Sequence, residues 1–157
     1  MTTVPQDATN EPDGVGTGPP APRVPDPPLD DSDYRALAEF RHALRVFLRF
    51  SEEAARAESL TPNQHQLLLA IRASPAAPTV TELSRQLQLR PNSTLELLRR
   101  AESAGLVELH TDETDHRRQL ASITEDGEAR LERLTRLHRD ELRRFRSQAG
   151  DLLDSLG

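Results

Sequence analysis

The chain contains no cysteine and no tryptophan, and it has one tyrosine and one methionine among its 157 residues. Without cysteine it cannot form disulfide bonds, thiolate metal sites or a cysteine-based peroxide sensor. No segment approaches the roughly 18 consecutive apolar residues of a membrane-spanning helix, and the N-terminus lacks the basic and then apolar pattern of a secretory signal. We therefore expect a protein of the cytoplasm with no membrane partner.

Lysine is also absent, and the net charge of −6 is unevenly distributed. Residues 1–33 hold seven acids and one arginine, which gives 1 − 7 = −6, so the rest of the chain is neutral. Eight of the 12 prolines and three of the seven glycines lie in the same segment. Such a composition buries too little apolar surface to order itself. It predicts a disordered acidic tail at residues 1–33, with a polyproline docking motif at 19–25 as an alternative, followed by one folded domain at 34–157.

Apolar residues at helical spacing predict two helices at the start of this domain. The first begins at Ser32 or Asp33 and extends to residue 58. Its buried face is formed by Leu37, Phe40, Leu44, Phe47 and Leu48. The second begins after Thr61, because Thr61 is a suitable N-cap, Pro62 suits the first helical position and Gln64 completes a capping box.

Two further helices follow in close succession. Thr79 and Val80 are compatible with a short strand, after which Thr81 and Glu82 open a third helix. This helix is expected to bury Leu83, Leu87 and Leu89. A fourth helix begins at Pro91 and ends at Gly105, a natural residue to follow a helix C-terminus. Its buried face comprises Thr94, Leu97, Leu98 and Ala101.

A hairpin and a long helix complete the predicted fold. Val107 and Leu109 alternate with polar residues, as Ala121 and Ile123 do, which indicates two half-buried strands. Thr124 then caps a helix, and a short separate segment runs from Asp151 to Leu156. The apolar positions of this helix are Leu131, Leu134, Leu137, Leu142 and Phe145. The predicted fold is mainly α with a small β-hairpin wing, in which residues 61–124 form a winged helix-turn-helix lobe.

This layout predicts DNA binding, because it sends one helix into the major groove while the hairpin tip reaches phosphates or the minor groove. Arginine and asparagine can read base edges or hold phosphates, and Asp115 is close enough to Arg117 to fix its guanidinium. Residues 79–124 nevertheless carry six arginines and seven acids, so the lobe itself is not basic. An ordinary charged surface is the alternative. The candidate DNA-binding residues are Arg90, Asn92, Ser93, Leu95, Glu96, Arg99, Arg100, Asp115, Arg117 and Arg118.

Three segments together resemble the MarR family of bacterial transcriptional regulators. They are Ala104-Gly105-Leu106-Val107, the wing sequence from Asp115 to Arg118, and Ser122-Ile123-Thr124-Glu125-Asp126-Gly127. The resemblance extends over about residues 34–157. It implies a homodimer held by helices at 34–58 and 125–157, which binds a pseudo-palindromic operator in double-stranded DNA. It also implies that Arg117 enters the minor groove and that Asp115 orients it.

The resemblance further implies a cleft between the dimer helices and the lobe that takes a small aromatic or phenolic anion as effector. The candidate ligand-binding residues, chosen by location, are His42, Arg45, Arg49 and His65. Leu95 and Glu96 depart from the family pattern, in which many members have a small hydroxyl residue and an arginine. They indicate either a different operator preference or weaker DNA binding.

The leading interpretation is therefore a ligand-responsive regulator, with repression as the family's usual mode. The alternative is a winged-helix protein-interaction module in which DNA binding is weak or lost. No catalytic residue, metal site or cofactor is predicted, because adjacent Asp115 and His116 on a hairpin usually point to opposite faces and no third ligand or nucleophile accompanies them.

Overall fold

The computed structural model describes residues 28–154, and the side chains of that range up to residue 150. The fold is mainly α with one two-stranded antiparallel hairpin, as the sequence predicted. Most of the predicted tail, residues 1–27, lies outside the described residues. No helix in the described part of the chain is long and apolar enough to span a membrane. The elements are α1 (Asp31–Ala57), α2 (Pro62–Ala73), α3 (Val80–Leu87), α4 (Pro91–Ser103), β1 (Val107–Thr111), β2 (Gln119–Ile123) and α5 (Glu125–Asp154).

Helix α1 begins slightly earlier than predicted, at Asp31, because Asp30 is its N-cap. The Asp30 carboxylate accepts from the backbone N–H groups of Ser32 and Asp33, and the Asp33 carboxylate accepts from the backbone N–H of Asp30. This reciprocal capping box satisfies donors that the first helical turn would otherwise leave unpaired. The last three residues assigned to the tail, 31–33, therefore belong to the helix.

Helix α2 starts as predicted. Thr61 is its N-cap and Pro62 its first residue, and Thr61 and Gln64 form the expected capping box. The helix packs Leu67, Leu68 and Ile71 into the core. It thereby sits between α1 and α5 on one side and α3, α4 and β2 on the other.

The predicted start of the third helix is wrong by two residues. Thr79, not Thr81, is the N-cap of α3, because the Glu82 side chain reaches back to the Thr79 backbone and closes a capping box. Thr79 also forms an isolated antiparallel bridge with Leu120, so the expected short strand is a single residue pair. The prediction that Leu89 is buried is also wrong. Leu89 follows the left-handed Gln88 and is 36% exposed.

Helix α4 and the turn after it agree with the sequence prediction. The helix begins at Pro91 and all four residues of its predicted inner face are buried. Gly105 ends the connection with φ 72°, a left-handed conformation that favours glycine. Leu106, buried beside it, then leads into the hairpin.

Strands β1 and β2 form the predicted wing. They pair from Val107 with Ile123 to Thr111 with Gln119. Val107 and Ala121 are buried, while Leu109 and Ile123 are half-buried against the same core. The strand ends bring residues 112–118 together as an exposed tip next to the start of α3.

Helix α5 is a single helix, so the predicted break before a separate Asp151–Leu156 segment is wrong. Gly150 lies inside the helix, and residues 155–157 are outside the described range. Thr124 caps the helix as predicted, since its hydroxyl accepts from the Gly127 N–H at 3.1 Å. The same hydroxyl donates to the Gly105 carbonyl at 2.6 Å, which ties the end of the α4 segment to the start of α5.

Helices α1 and α5 pack against each other along much of their length. The contact is aromatic, because the ring of Phe145 lies 6.3 Å from that of Phe40 and 5.4 Å from that of Phe47. Leu131 and Leu134 are buried beneath α2 and the lobe. The two helices therefore form a helical arm joined to the winged lobe through α2.

Candidate functional site

A groove of about 560 Å³ runs between the beginnings of α3 and α4 and the wing. Four of the predicted DNA-binding residues line it: Asn92, Leu95, Arg117 and Arg118. Its other lining residues are Thr79, Val80, Thr81, Glu82, Arg85, Pro91 and Gln119. The wing and the first turn of α4 thus share one concave surface although they are more than 20 residues apart in sequence.

The groove is basic even though the lobe as a whole is not. Three arginines, including Arg85 of α3, line it against the single acid Glu82. Backbone and side-chain hydrogen bonds from Thr79 lower the pKa of Glu82, and Arg118 and Arg85 add a smaller effect. The Glu82 carboxylate is therefore already committed to capping α3, with Thr79 N–H and Oγ1–H at 2.7 and 2.8 Å. Two of the arginines, Arg117 and Arg118, also have acidic partners at the wing tip, but these aspartates do not line the groove.

The wing tip holds Arg117 in the predicted pose. The Arg117 side chain is 93% exposed, and its Nε donates to Asp115 Oδ1 at 3.3 Å. The Arg117 backbone N–H donates to the same oxygen at 3.1 Å. Asp115 therefore fixes both the backbone and the guanidinium of a residue that otherwise projects into solvent.

Asp112 organises the other side of the wing tip, a role that the sequence reasoning missed. Its Oδ1 accepts from Thr114 N–H at 2.8 Å and from Thr114 Oγ1–H at 2.7 Å. These hydrogen bonds lower the pKa of Asp112. Its other oxygen lies 3.5 Å from Arg118, so the second wing arginine also has an acidic partner. The signal was local: an aspartate two residues before a threonine is typical of a side-chain-capped turn.

The remaining candidates on α4 lie outside the groove lining. They are exposed on the helix, and Arg90 is its N-cap residue without a capping hydrogen bond from its side chain. The angle between α3 and α4 is fixed from inside, where Ser84 Oγ donates to buried Thr94 Oγ1 at 3.1 Å. The exposed candidates are Arg90, Ser93, Glu96, Arg99 and Arg100.

A second cavity, of about 400 Å³, lies between the arm and α2. Of the four predicted ligand-binding residues, it contains His65 and none of the other three, because His42, Arg45 and Arg49 are exposed on α1 outside the cavity lining. Arg49 instead pairs with Glu53 at 2.9 Å. The lining is Phe47, Ser51, His65, Gln66, Leu69, Thr135, His138, Arg139 and Leu142.

Two neighbouring histidines, whose ring planes are tilted by 50°, form one side of this cavity. The rings of His65 and His138 lie 4.9 Å apart, and the residues are only 3% and 8% exposed. His138 Nδ1 lies 2.7 Å from the Leu134 carbonyl, which can only accept, so this nitrogen carries a proton. In the neutral ring, His138 Nε2 then accepts from Ser51 Oγ–H at 2.8 Å. His138 thereby links α1 to α5.

His65 has no such partners. None of the side-chain hydrogen bonds in the described part of the chain includes its imidazole, which lines the cavity. Burial and, to a smaller extent, the nearby His138 lower the pKa of His65 to about 4. At neutral pH the ring is therefore uncharged and presents an unpaired donor or acceptor to the cavity.

His138 and Arg139 were missed as site residues for a physical reason. They are adjacent on α5, more than 70 residues from His65, and nothing in local spacing places them beside α2. The one available signal was a histidine at a buried helical position, since His138 lies four residues after Leu134 on the inner face of α5.

Comparison with known proteins agrees with this architecture. The model of the MarR family matches residues 58–118, and no curated protein matches the chain. Among the solved structures, 141 chains match. One is a MarR family transcription regulator that is 25% identical, with a TM-score of 0.66 over 74% of this chain and 77% of that chain.

Two other matching structures are of proteins that bind DNA. A mutant of S. aureus MepR, bound to an oligodeoxyribonucleotide, is 20% identical, with a TM-score of 0.63 over 79% of this chain and 98% of that chain. BpsR of Bordetella bronchiseptica, whose DNA binding is regulated by 6-hydroxynicotinic acid, is 19% identical, with a TM-score of 0.52 over 67% and 82%. Residues 58–118 therefore match the MarR family model, and the chain shares the winged helix-turn-helix fold of MarR family transcription regulators.

Proposed function

We propose that the protein is a homodimeric transcription regulator that binds a pseudo-palindromic operator in double-stranded DNA. The observation that carries this proposal is the groove that joins the first turn of α4 to the wing, whose lining contains three arginines and one acid, Glu82, which caps α3. Phosphates are its natural occupants, because closely spaced arginines neutralise them and release condensed counterions. The oligodeoxyribonucleotide bound to S. aureus MepR supports the same assignment.

In this proposal α4 lies in the major groove. Asn92 and Leu95, at the N-terminal end of the helix and in the groove wall, contact adenine edges and thymine methyl groups. Glu96, one residue further and exposed, accepts from cytosine N4. Ser93, Arg90, Arg99 and Arg100 hold phosphates on either side. Sequence preference thus resides in a few residues, while contacts to the DNA phosphates set the position of the protein along the duplex.

The wing contributes from the adjacent minor groove. Arg117 enters it with Asp115 behind the guanidinium, and a narrow minor groove attracts such a side chain through its enhanced negative potential. Arg118 stays nearer the phosphates, where Asp112 limits its motion. Together, α4 and the wing span one operator half-site.

Dimerisation uses the arm, residues 34–58 and 125–157. Apolar side chains remain exposed on both helices of the isolated chain, including Leu37 and Leu48 of α1 and Leu137 of α5. A two-fold dimer buries such residues against their copies and places two lobes on successive major grooves.

The cavity between the arm and α2 is the proposed effector site. Phe47, Leu69 and Leu142 offer an apolar wall, and Arg139 offers a cation. In the described part of the chain Arg139 is in no ion pair, whereas Arg136 and Arg143 pair with Glu132 and Asp140. An apolar cavity with one unpaired cation suits a small aromatic or phenolic anion, in line with the 6-hydroxynicotinic acid that regulates BpsR.

An effector in this position acts on the spacing of the lobes. It touches α1, α2 and α5 together, so it favours one orientation of the lobe relative to the arm. If that orientation separates the two α4 helices from successive major grooves, the effector releases DNA and the protein is a repressor in the cytoplasm. The energy available is the difference in effector affinity between the two orientations.

A protein-interaction module is the second candidate, favoured by one observation. Glu96 is exposed on α4, where a carboxylate opposes phosphates. If this repulsion dominates, the lobe binds a protein partner and only weak, non-specific DNA. Steep salt dependence with sequence preference distinguishes the operator-binding function from this one.

Selection of the purified protein against a random duplex pool at two salt concentrations tests the proposal. We expect an enriched inverted repeat whose half-sites are about 10 base pairs apart, one turn of DNA. Retention should fall steeply with salt as phosphate contacts are lost. A dimer that retains no preferred sequence at either salt concentration contradicts operator binding and favours the protein-interaction module.

A further inference from the structure

The two neighbouring histidines, His65 and His138, lie at one side of the proposed effector cavity. His65 is buried, faces the cavity and lacks a hydrogen-bond partner in the described part of the chain, while His138 lies 4.9 Å away. The cavity therefore holds an imidazole that can accept a proton without breaking a protein hydrogen bond. This inference rests on the proposed effector site.

What the cavity lacks is a negative charge to stabilise that proton. From α1 it is faced by Phe47 and Ser51, and from α2 by Gln66 and Leu69, all neutral. The charged or titratable groups that α5 contributes are His138 and Arg139. The two acids that follow Ser51 in sequence, Glu52 and Glu53, form ion pairs with Arg56 and Arg49, respectively. No described carboxylate therefore balances a charged His65.

An anionic effector supplies the missing charge. Its carboxylate, placed near Arg139, lies in the same small cavity as His65 and favours the protonated imidazole, as a neighbouring opposite charge does. We infer that the cavity binds its aromatic anion together with a proton, which is held on His65. A falling pH then strengthens effector binding, and by linkage the same effector releases DNA at lower concentration in acid.

The direction of the pH effect follows from the pKa of His65 without and with the effector. Without effector, burial and His138 hold the pKa of His65 near 4, so the ring is neutral at physiological pH. With an anion beside it the pKa rises, and the bound state holds more protons than the free state between the two values. Affinity for the anion therefore increases as pH falls through that window, by at most tenfold per pH unit, and is constant above it.

Isothermal titration with benzoate and 6-hydroxynicotinate tests this inference, with neutral benzamide as a matched probe. Each is titrated at about pH 8 and about pH 6, where carboxyl groups with pKa near 4 stay ionised. Two buffers with different heats of protonation report the protons taken up. We expect either anion to bind about threefold to tenfold more tightly at the lower pH, with proton uptake. Benzamide should bind, if at all, without uptake.

Two variants separate the roles of the residues. His65→Gln keeps a polar side chain but cannot titrate, so proton uptake should disappear. Arg139→Gln should weaken anion binding at both pH values while uptake remains. Equal observed heats in the two buffers for the wild-type protein, or uptake that persists in His65→Gln, overturn the inference. If His65→Gln does not fold, the wild-type comparison in two buffers decides alone.

Failure of the inference is distinguishable from failure of the proposed function. If neither anion binds at either pH, the anion site and this inference both fall. Operator binding, measured by the duplex selection without effector, is unaffected by that result. The reverse result is that no operator is selected while the anion still binds together with a proton. That result contradicts the regulator function and supports the anion site and this inference.

Discussion

Arg117 combines two properties that rarely occur together in a surface arginine. It is almost fully exposed, yet two hydrogen bonds to one carboxylate oxygen of Asp115 restrict its backbone and side chain. An exposed ion pair of this kind adds little to stability. In the proposed function the Asp115–Arg117 pair orients the side chain, because a guanidinium already held in one pose loses less conformational entropy when it binds DNA.

Replacement of Arg117 by alanine tests this residue directly. Arg117→Ala should weaken operator binding by about 1–3 kcal/mol, because one groove contact is lost. The melting temperature should not change, since the side chain packs against nothing that is buried. Fluorescence anisotropy with the selected operator measures the affinity. Arg144→Ala is a matched control, an exposed arginine of α5 paired with Glu141, and should bind like the wild type. Equal affinity of the two variants contradicts the wing assignment.

His65 determines a second residue-scale property, the stability of the fold in mild acid. Its pKa is about 4 in the folded chain and about 6.5 when unfolded, so the unfolded chain binds more protons between these values. Stability is then complete above pH 6.5 and declines as pH falls toward 4. From pH 7 to pH 5 the loss should be about 2 kcal/mol.

Urea denaturation at the two pH values, at one protein concentration, measures this loss. His65→Gln should lose distinctly less stability, because glutamine does not titrate. Asp30 and Glu58 have a lowered pKa, so they lose their contribution to stability only at more acidic pH. They therefore add little to the difference in stability between pH 7 and pH 5. The same pH dependence in both proteins shows that His65 is not the titrating group.

At the scale of elements, local pairs decided what the sequence could predict. The capping residues of α2 were predictable because Thr61 and Gln64 are three residues apart and act within one turn. The start of α3 was misplaced because Thr79 and Thr81 are both good caps. Only Thr79 has a glutamate three residues later, and Glu82 closes that box. The capping-box pattern was present in the sequence and outweighs single-residue preference.

The two candidate sites differ in predictability for the same reason. Asp115 and Arg117 form a contact within three residues, so the sequence identified it. The cavity is built from α1, α2 and α5, and its polar residues meet only through tertiary packing. His42, Arg45 and Arg49 were selected by approximate location, whereas the inner face of α1 presents Phe47 and Ser51 instead. Side-chain direction on a helix, not proximity in sequence, decided the lining.

The junction between α5 and the wing supplies an element-scale prediction. A Cβ at Gly127 would lie 2.2 Å from the Leu106 carbonyl oxygen and 2.9 Å from Ile123 Cγ1. The Leu106 carbonyl belongs to the backbone, so it can make room for this Cβ only if α5 moves away from β1. Gly127→Ala should therefore destabilise the protein by about 2–3 kcal/mol, the cost of overpacking a tight contact.

Gly150→Ala is the matched control, because this glycine is also in α5 but a Cβ there meets nothing within 4 Å. Alanine favours helix more than glycine does, so this variant should be stabilised by up to about 1 kcal/mol. Denaturant unfolding of both variants gives the comparison. We expect the free energy of unfolding to fall in Gly127→Ala and to rise in Gly150→Ala. A Gly127→Ala protein as stable as the wild type contradicts the close contact between Gly127 and the Leu106 carbonyl.

At the scale of the whole molecule, charge and function separate along the chain. The net charge of −6 resides in residues 1–33, while the groove concentrates arginines on one surface of a neutral body. Net charge is therefore a poor guide to the partner of this protein. In the proposed function, the local field at the groove governs encounter with DNA, and salt screens this field over about 10 Å at 0.1 M.

The arm offers the last test, because its exposed apolar residues have a definite arrangement. Leu37 and Leu48 lie on one side of α1 and are 50% and 47% exposed in the single chain. Val46, 48% exposed, lies on roughly the opposite side at about 100° per residue. If α1 forms the dimer, the leucine side is buried by the partner and the valine side is not.

Aspartate at these positions should therefore act differently. Leu37→Asp with Leu48→Asp places unpaired charges in the interface, which costs about 3 kcal/mol or more and weakens the dimer at least about 100-fold. Val46→Asp should leave the dimer intact. Analytical ultracentrifugation across a concentration series measures the dissociation constant of each variant, and circular dichroism verifies the fold. A double variant that dimerises like Val46→Asp requires a different interface. A folded monomer should also lose most operator affinity, because a single lobe cannot span both half-sites.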